Sequence, residues 1–359
     1  MSKVLLLVAT RKGCFVIEGD GDRRSWDVRG PFCEGWPIYH AVYDESDGSI
    51  YAAAASEWHG ATVWKSSDLG ETWTQSSEGL TYGDDAERKL TKVSSLAAAH
   101  GRVLAGAEPT GIFESRDGGQ TWKLHCSPQH EASKDWNDPS KQPPGHLGIS
   151  NITPHPGDGP EHFWAIVQGY SLFETTDDGK TWTARNEGLR ADWPREYDDI
   201  GFCVHRCVIA PTDTSRMYQQ NHVGVHRSDD GGRSWTEITE GLPSEFGFPA
   251  AVHPHDKDTF YVIPVDPGHA RTMHDGKASV WRTRDAGSSW TRLSQGLPQE
   301  DAYLGVLRGG MTNDQLDTPG FYFGTSTGQV YASADEGDSW SEVASYLPAI
   351  SSVEVAVID

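Results

Sequence analysis

The chain has 359 residues, a formal net charge of −22 and 36% apolar residues, with 39 glycines and 14 tryptophans. This is the composition of a turn-rich globular protein, not of a disordered or membrane-spanning one. The negative charge excludes a nucleic-acid backbone or an anionic lipid surface as partner and favours neutral or cationic ligands.

The first apolar run, Val4–Ala9, leads into Thr10-Arg11-Lys12-Gly13 instead of a small-residue cleavage site, so it reads as a buried strand. Cys14–Glu18 and Trp26–Arg29 follow as two further strands, separated by a turn, Gly19–Trp26, that ends in Ser-Trp. That ending then recurs within a fuller pattern, Ser/Thr-x-Asp-x-Gly-x-Ser/Thr-Trp. The copies are Ser66–Trp73, Ser115–Trp122, Thr175–Trp182, Ser228–Trp235, Thr283–Trp290 and Ser333–Trp340. Successive terminal tryptophans lie 47, 49, 60, 53, 55 and 50 residues apart, the size of a four-stranded propeller blade.

The pattern has a turn's chemistry. Asp and Ser/Thr side chains bond back to turn backbone, and glycine accepts positive φ. Asp68, Asp117, Asp177, Asp230, Asp285 and Asp335 are therefore expected to be structural. Three β-patterned runs precede each box; in the fifth repeat they are Phe202–Ile209, Met217–Asn221 and Val223–Ser228. The first repeat lacks one run, and Ser352–Val357 at the far end can supply it and close a ring without exposed sheet edges. The expected fold is all-β, a single seven-bladed β-propeller domain over residues 1–359.

Two segments look like insertions: 125–146, and 189–199 with Asp192, Trp193, Glu196, Asp198 and Asp199. The five cysteines are odd in number and form no CxxC, which points to free thiols and a reducing, cytoplasmic setting. Phosphate-binding glycine motifs are absent, so no nucleotide cofactor is expected.

The boxes and their spacing resemble the BNR/Asp-box superfamily. Ala9–Gly13 with Gly30-Pro31-Phe32, Gly201–His205, Gln220–Gly224 and Gly241–Pro249 are similar to bacterial sialidase-like BNR-repeat proteins. The resemblance implies a seven-bladed propeller with its ligand site on the loop face opposite the boxes, around the central channel. A sialidase would carry a Phe/Tyr-Arg-Ile-Pro motif; the counterpart here, Trp36-Pro37-Ile38-Tyr39, lacks the arginine that would grip a carboxylate. Sialidase activity is not expected.

On that loop face fall Arg11, Glu57, His59, Gln220, Asp266, His269, Arg271 and Arg308, candidate contacts for a small-molecule or glycan ligand. Cys203 and His205 are two apart on one strand and share a face. A hairpin turn near Thr212–Ser215 would bring His222 opposite Arg206, beside His205, with His146 approaching from the preceding blade. His146, His205 and His222 are thus candidate ligands for Zn, Cu, Fe or Ni. With Glu108 they are also candidates for acid–base catalysis. The alternatives are histidines that orient substrate without metal, and histidines that only hydrogen-bond backbone. Two further readings stand beside the histidine pocket. One is a glycoside hydrolase using two carboxylates about 5–9.5 Å apart from among Glu57, Glu108, Asp266 and Asp301. The other is a non-catalytic platform for a protein partner.

Overall fold

In the first blade the chain forms β1 (Lys3–Thr10), β2 (Gly13–Asp20) and β3 (Trp26–Phe32). The second holds β4 (Ile38–Asp44), β5 (Ser49–Ser56), β6 (Gly60–Ser66) and β7 (Thr74–Ser76). The third holds β8 (Lys92–Ala99), β9 (Arg102–Glu108), β10 (Gly111–Ser115) and β11 (Lys123–Cys126). The fourth holds β12 (Ile149–Pro154), β13 (Phe163–Val167), β14 (Ser171–Thr175) and β15 (Thr183–Ala184). The fifth holds β16 (Val204–Ile209), β17 (Met217–Asn221), β18 (Val225–Ser228) and β19 (Thr236–Glu237). The sixth holds β20 (Gly247–Val252), β21 (Phe260–Pro264), β22 (Val280–Thr283) and β23 (Thr291–Leu293). The seventh holds β24 (Met311–Asn313), β25 (Phe321–Gly324), β26 (Val330–Ser333) and β27 (Ser341–Ala344), and β28 (Ile350–Ile358) ends the chain.

These strands form seven four-stranded antiparallel sheets, the blades of a seven-bladed β-propeller. The computed structural model describes residues 2–83, 88–131, 133, 147–191 and 197–358. Two compact units are present. One (residues 1–11, 15–30 and 186–359) holds the first, fifth, sixth and seventh blades; the other (12–14 and 31–185) holds the second, third and fourth.

The first blade has the strand order β28-β1-β2-β3, so the C-terminal strand supplies the missing inner strand, as expected. β1 pairs with β28 from Lys3↔Ile358 to Thr10↔Ile350. Val4 to Ala9 are all fully buried, because a strand inside this sheet is covered on both faces; hence the unbroken apolar run. Alternation of apolar and polar residues is absent for the same reason. Leu6, Val8, Tyr322, Val330 and Val353 share one core cluster.

All six full boxes make the same turn. In the first, Ser66 donates to Asp68 (2.8 Å) and accepts from Gly70 N–H (2.8 Å). Asp68 accepts from the hydroxyl (2.6 Å) and N–H (2.8 Å) of Thr72. These donors hold the Asp68 carboxyl at about 2, the Thr72 hydroxyl first among them. The degenerate box keeps its aspartate one place early: Asp20 accepts from Arg24 N–H (2.9 Å) and the Ser25 hydroxyl (2.6 Å). A second recurring feature follows the blades. At Gly79, with φ +80°, an added Cβ would lie 1.8 Å from the Trp122 carbonyl oxygen, and Gly296 meets Trp340 in the same way. Only glycine fits there.

On β18, His226 is fully buried opposite Gln219, and neither ring nitrogen has a protein partner. Burial pushes its pKa down to about 4. The unfolded chain therefore binds a proton below pH ~6.5 that the folded chain refuses until pH ~4. Stability is lost as pH falls through that window, by about 3 kcal/mol for this one group. Urea unfolding of His226→Leu between pH 4 and 7 is expected to show a shallower acid slope than the parent; an equal slope would exclude His226 as a contributor.

Candidate functional site

The site is built from strand ends of the fifth and sixth blades, the β21–β22 loop (Arg271) and the segment between β23 and β24 (Arg308), all within the first unit. The β16–β17 register runs Val204↔Asn221 and then Arg206↔Gln220, which leaves His205 at a bulge. A bulge re-aims a side chain, and here it turns a fully buried imidazole toward the sixth blade. Gln220, not His222, stands opposite Arg206, so the expected register is off by the bulge. His222 instead donates its backbone N–H to the Cys203 carbonyl (3.0 Å). The two histidine rings end 5.6 Å apart.

The Gly247 carbonyl on β20 lies 2.6 Å from His205 Nδ1. A carbonyl only accepts, so Nδ1 carries the proton and Nε2 presents its lone pair. Nε2 lies 3.5 Å from Cys203 Sγ. Burial drives the His205 pKa well below the usual histidine value, and the Arg308, His222 and Arg271 charges add to it. His205 is therefore a neutral imidazole with a fixed tautomer.

Phe246-Gly247-Phe248 forms the floor. Phe248 lies under His205 at 4.8 Å, Phe246 meets His222 edge-on at 4.8 Å, and both phenylalanines are buried. A Cβ at position 247 would sit 2.8 Å from the Ile263 carbonyl oxygen, so glycine permits this close approach. Over the same floor sit two guanidinium groups. Arg271 is 5.6 Å from both ring centroids, and Arg308 is 5.1 Å from Phe248. Arg271 Nε donates to the Gly268 carbonyl (3.0 Å), and Arg308 Nε is buried with no hydrogen-bond partner. Burial, joined by the Arg271 charge, lowers the Arg308 pKa. Among the described residues neither arginine pairs with a carboxylate. An overall acidic charge suggests neutral or cationic ligands; this site is locally cationic.

Of the sequence candidates, the structure brings His205, His222, Arg271 and Arg308 together, with Cys203. Gln220 is not a loop residue: it is buried in β17 and donates its side-chain amide to the Asn221 and Glu245 carbonyls (2.9 and 3.1 Å), which fixes the approach to β20. Asp266 accepts from His274 Nδ1 (2.7 Å), His269 is exposed on the same loop, and Arg11 is exposed at the β1–β2 turn. Glu57, His59 and Glu108 belong to the second unit. There Glu57 and His59 are exposed, His59 stacks on Trp36 (5.5 Å), and Glu108 pairs with Lys92 (2.5 Å). His146, Asp192, Trp193 and Glu196 lie outside the described residues. Phe246 and Phe248 escape a reading based on polar side chains, although their Phe-Gly-Phe spacing puts both rings on one strand face.

The second unit has another His/Asp cluster, on the β12–β13 turn. His162 lies between Asp158 (2.6 Å) and Glu174 (2.9 Å) and packs 4.5 Å from Trp164. Both its nitrogens are occupied by carboxylates, which is a structural arrangement.

A model of the DUF6242 β-propeller domain matches residues 123–357, and a BNR/Asp-box repeat model matches 113–124. A curated xyloglucanase of Paenibacillus sp. is 24% identical over 258 residues, 65% of this chain and 23% of that protein. The solved GH74 enzyme of Niastella koreensis superposes with a TM-score of 0.62 at 17% identity, covering 94% of this chain and 51% of that one. YCF48 bound to D1 peptide superposes with a TM-score of 0.56 at 15% identity, covering 89% and 90%. The chain thus spans about a quarter of the curated xyloglucanase and half of the GH74 enzyme, and at these identities the likeness is one of fold. With more than half its length matched by one family model, the chain belongs to the DUF6242 β-propeller domain family.

Proposed function

We propose that this protein binds a small anionic molecule over the Phe246–Phe248 floor and acts on it as an enzyme. One observation carries the reading. In a chain with 52 acidic and 30 basic residues, Arg271 and Arg308 converge on one aromatic floor without a carboxylate partner among the described residues. Elsewhere in the same unit arginines find acids, as in Arg216–Asp258 and Arg284–Glu336. Arg271 is exposed and Arg308 half-buried, and an oxyanion between the two like charges relieves their repulsion. The guanidinium fork matches a carboxylate or phosphate bidentately.

The five unbridged cysteines fit a reducing, cytoplasmic setting. Calorimetric titration with inorganic phosphate and with malonate tests the reading and separates the two anion classes. The parent protein is expected to bind one of them, and Arg308→Gln to weaken binding at least tenfold, since charge-assisted bonds contribute about 1.5–3 kcal/mol. No binding of either anion, or equal binding by Arg308→Gln, would refute it.

The xyloglucanase and GH74 likenesses favour a second reading, glycan hydrolysis. Two of its four carboxylate candidates are engaged, Glu108 by Lys92 and Asp266 by His274. Xyloglucan cleavage that survives Arg308→Gln would support it over the anion site.

A further inference from the structure

We infer that Cys203, His205 and His222 form a binding site for one divalent transition metal ion, zinc or copper, with an open coordination position facing Arg271 and Arg308. The inference concerns the same pocket and rests on its being a ligand site. Its own support is the donor set. One thiol and two imidazole groups offer donor atoms that all lie within 4.8 Å of one another. Tetrahedral coordination, with metal–sulfur near 2.3 Å and metal–nitrogen near 2.05 Å, places sulfur and nitrogen about 3.5 Å apart. Cys203 Sγ and His205 Nε2 are 3.5 Å apart. His222 offers a ring nitrogen within 4.8 Å of both.

The surroundings are those of a metal ligand. His205 donates Nδ1–H to the Gly247 carbonyl, which fixes the tautomer with Nε2 toward the sulfur, as an outer-shell partner of a liganding histidine does. All three residues hang on strand ends tied together by backbone, since His222 N–H bonds the Cys203 carbonyl and the β16 bulge aims His205. That is a preorganised frame rather than a mobile loop.

Two arginines beside a divalent cation need compensation. The thiol loses its proton to solvent on coordination, so the thiolate supplies one negative charge. A bound dianion supplies two more and completes the coordination from the arginine side. A thiolate with two imidazoles suits zinc and copper better than magnesium or calcium, which prefer oxygen.

The test uses full-length protein stripped with a chelator and titrated separately with zinc(II) and cobalt(II). One ion per chain is expected, with a near-ultraviolet thiolate-to-cobalt absorption band. Cys203→Ser and His222→Ala are each expected to weaken zinc binding at least tenfold, and Cys203→Ser to abolish the band. Cys126→Ser, on β11 of the other unit, is expected to change neither. Circular dichroism checks folding, and His222→Ala alters a partly exposed position, so the test does not depend on the buried His205. Stoichiometric binding that survives both variants, or no stoichiometric binding by the parent, would overturn the metal site. Phosphate and malonate titration of the stripped protein separates the two proposals: anion binding without metal binding would overturn this inference alone, and metal binding without anion binding would overturn only the anion reading.

Discussion

Deleting residues 351–359 is expected to lower the melting temperature by more than 10 °C or to abolish cooperative unfolding of the first unit. The deletion removes nearly all of β28 and strips β1 of its ladder from Lys3 to Ala9. Val4, Leu6 and Val8, fully buried in the intact chain, would face an unfilled strand position, and Val353 would be lost from their cluster. Each fully buried side chain of this size contributes about 1.5–3 kcal/mol. Three or four of them approach the whole stability of a typical domain, about 5–15 kcal/mol. The freed edge of β1 also becomes an apolar template for aggregation. Scanning calorimetry of the truncated chain reads the effect directly, and melting within about 2 °C of the parent would contradict the closure's energetic role.

Arg23→Ala is expected to cost about 3–5 kcal/mol, the usual result of leaving a buried charge without its partner. Arg23 sits in the degenerate box with φ 59°, and its guanidinium grips Asp314 through Nε (2.9 Å) and Nη2 (2.8 Å). It also donates to the Tyr322 hydroxyl (2.8 Å), which in turn donates to Asp314 (2.6 Å). The Asp314 side chain is wholly buried and the arginine 6% exposed. Removing the arginine leaves a buried carboxylate with no counter-charge, held only by neutral donors: the Leu316 and Gly320 N–H groups and the Tyr322 hydroxyl. Lys3→Ala is the contrast: its pair with Glu18 (2.6 Å) is 52% exposed on the lysine side and is expected to contribute under about 1 kcal/mol. Urea midpoints of the two variants give the comparison, and equal losses would argue that burial does not govern these pairs.

Much of the fold was legible because it is periodic. The boxes carry their own turn chemistry, with Ser66, Asp68, Gly70 and Thr72 satisfying one another locally, so sequence spacing alone marks the turn. The closing strand was legible from a count, three runs in the first blade where the others have four. What the sequence concealed was set by non-local geometry. Asp20 replaces the box aspartate from one place earlier, because its carboxylate can still reach Arg24 N–H and the Ser25 hydroxyl. The bulge at His205 shifts the β16–β17 register, and nothing in the run of residues 202–209 marks it. Gln220 reads as a polar loop residue, yet it is buried because two carbonyls accept its amide protons. The cationic character of the pocket is hidden beneath a net charge of −22, since total charge carries no information about where two arginines meet.

A crystal of the full-length chain grown or soaked with malonate tests the anion site most directly. A malonate carboxylate is expected between the Arg271 and Arg308 guanidinium groups, above Phe248. Malonate bound elsewhere, with both guanidinium groups contacting only solvent at a concentration that saturates binding in solution, would contradict it.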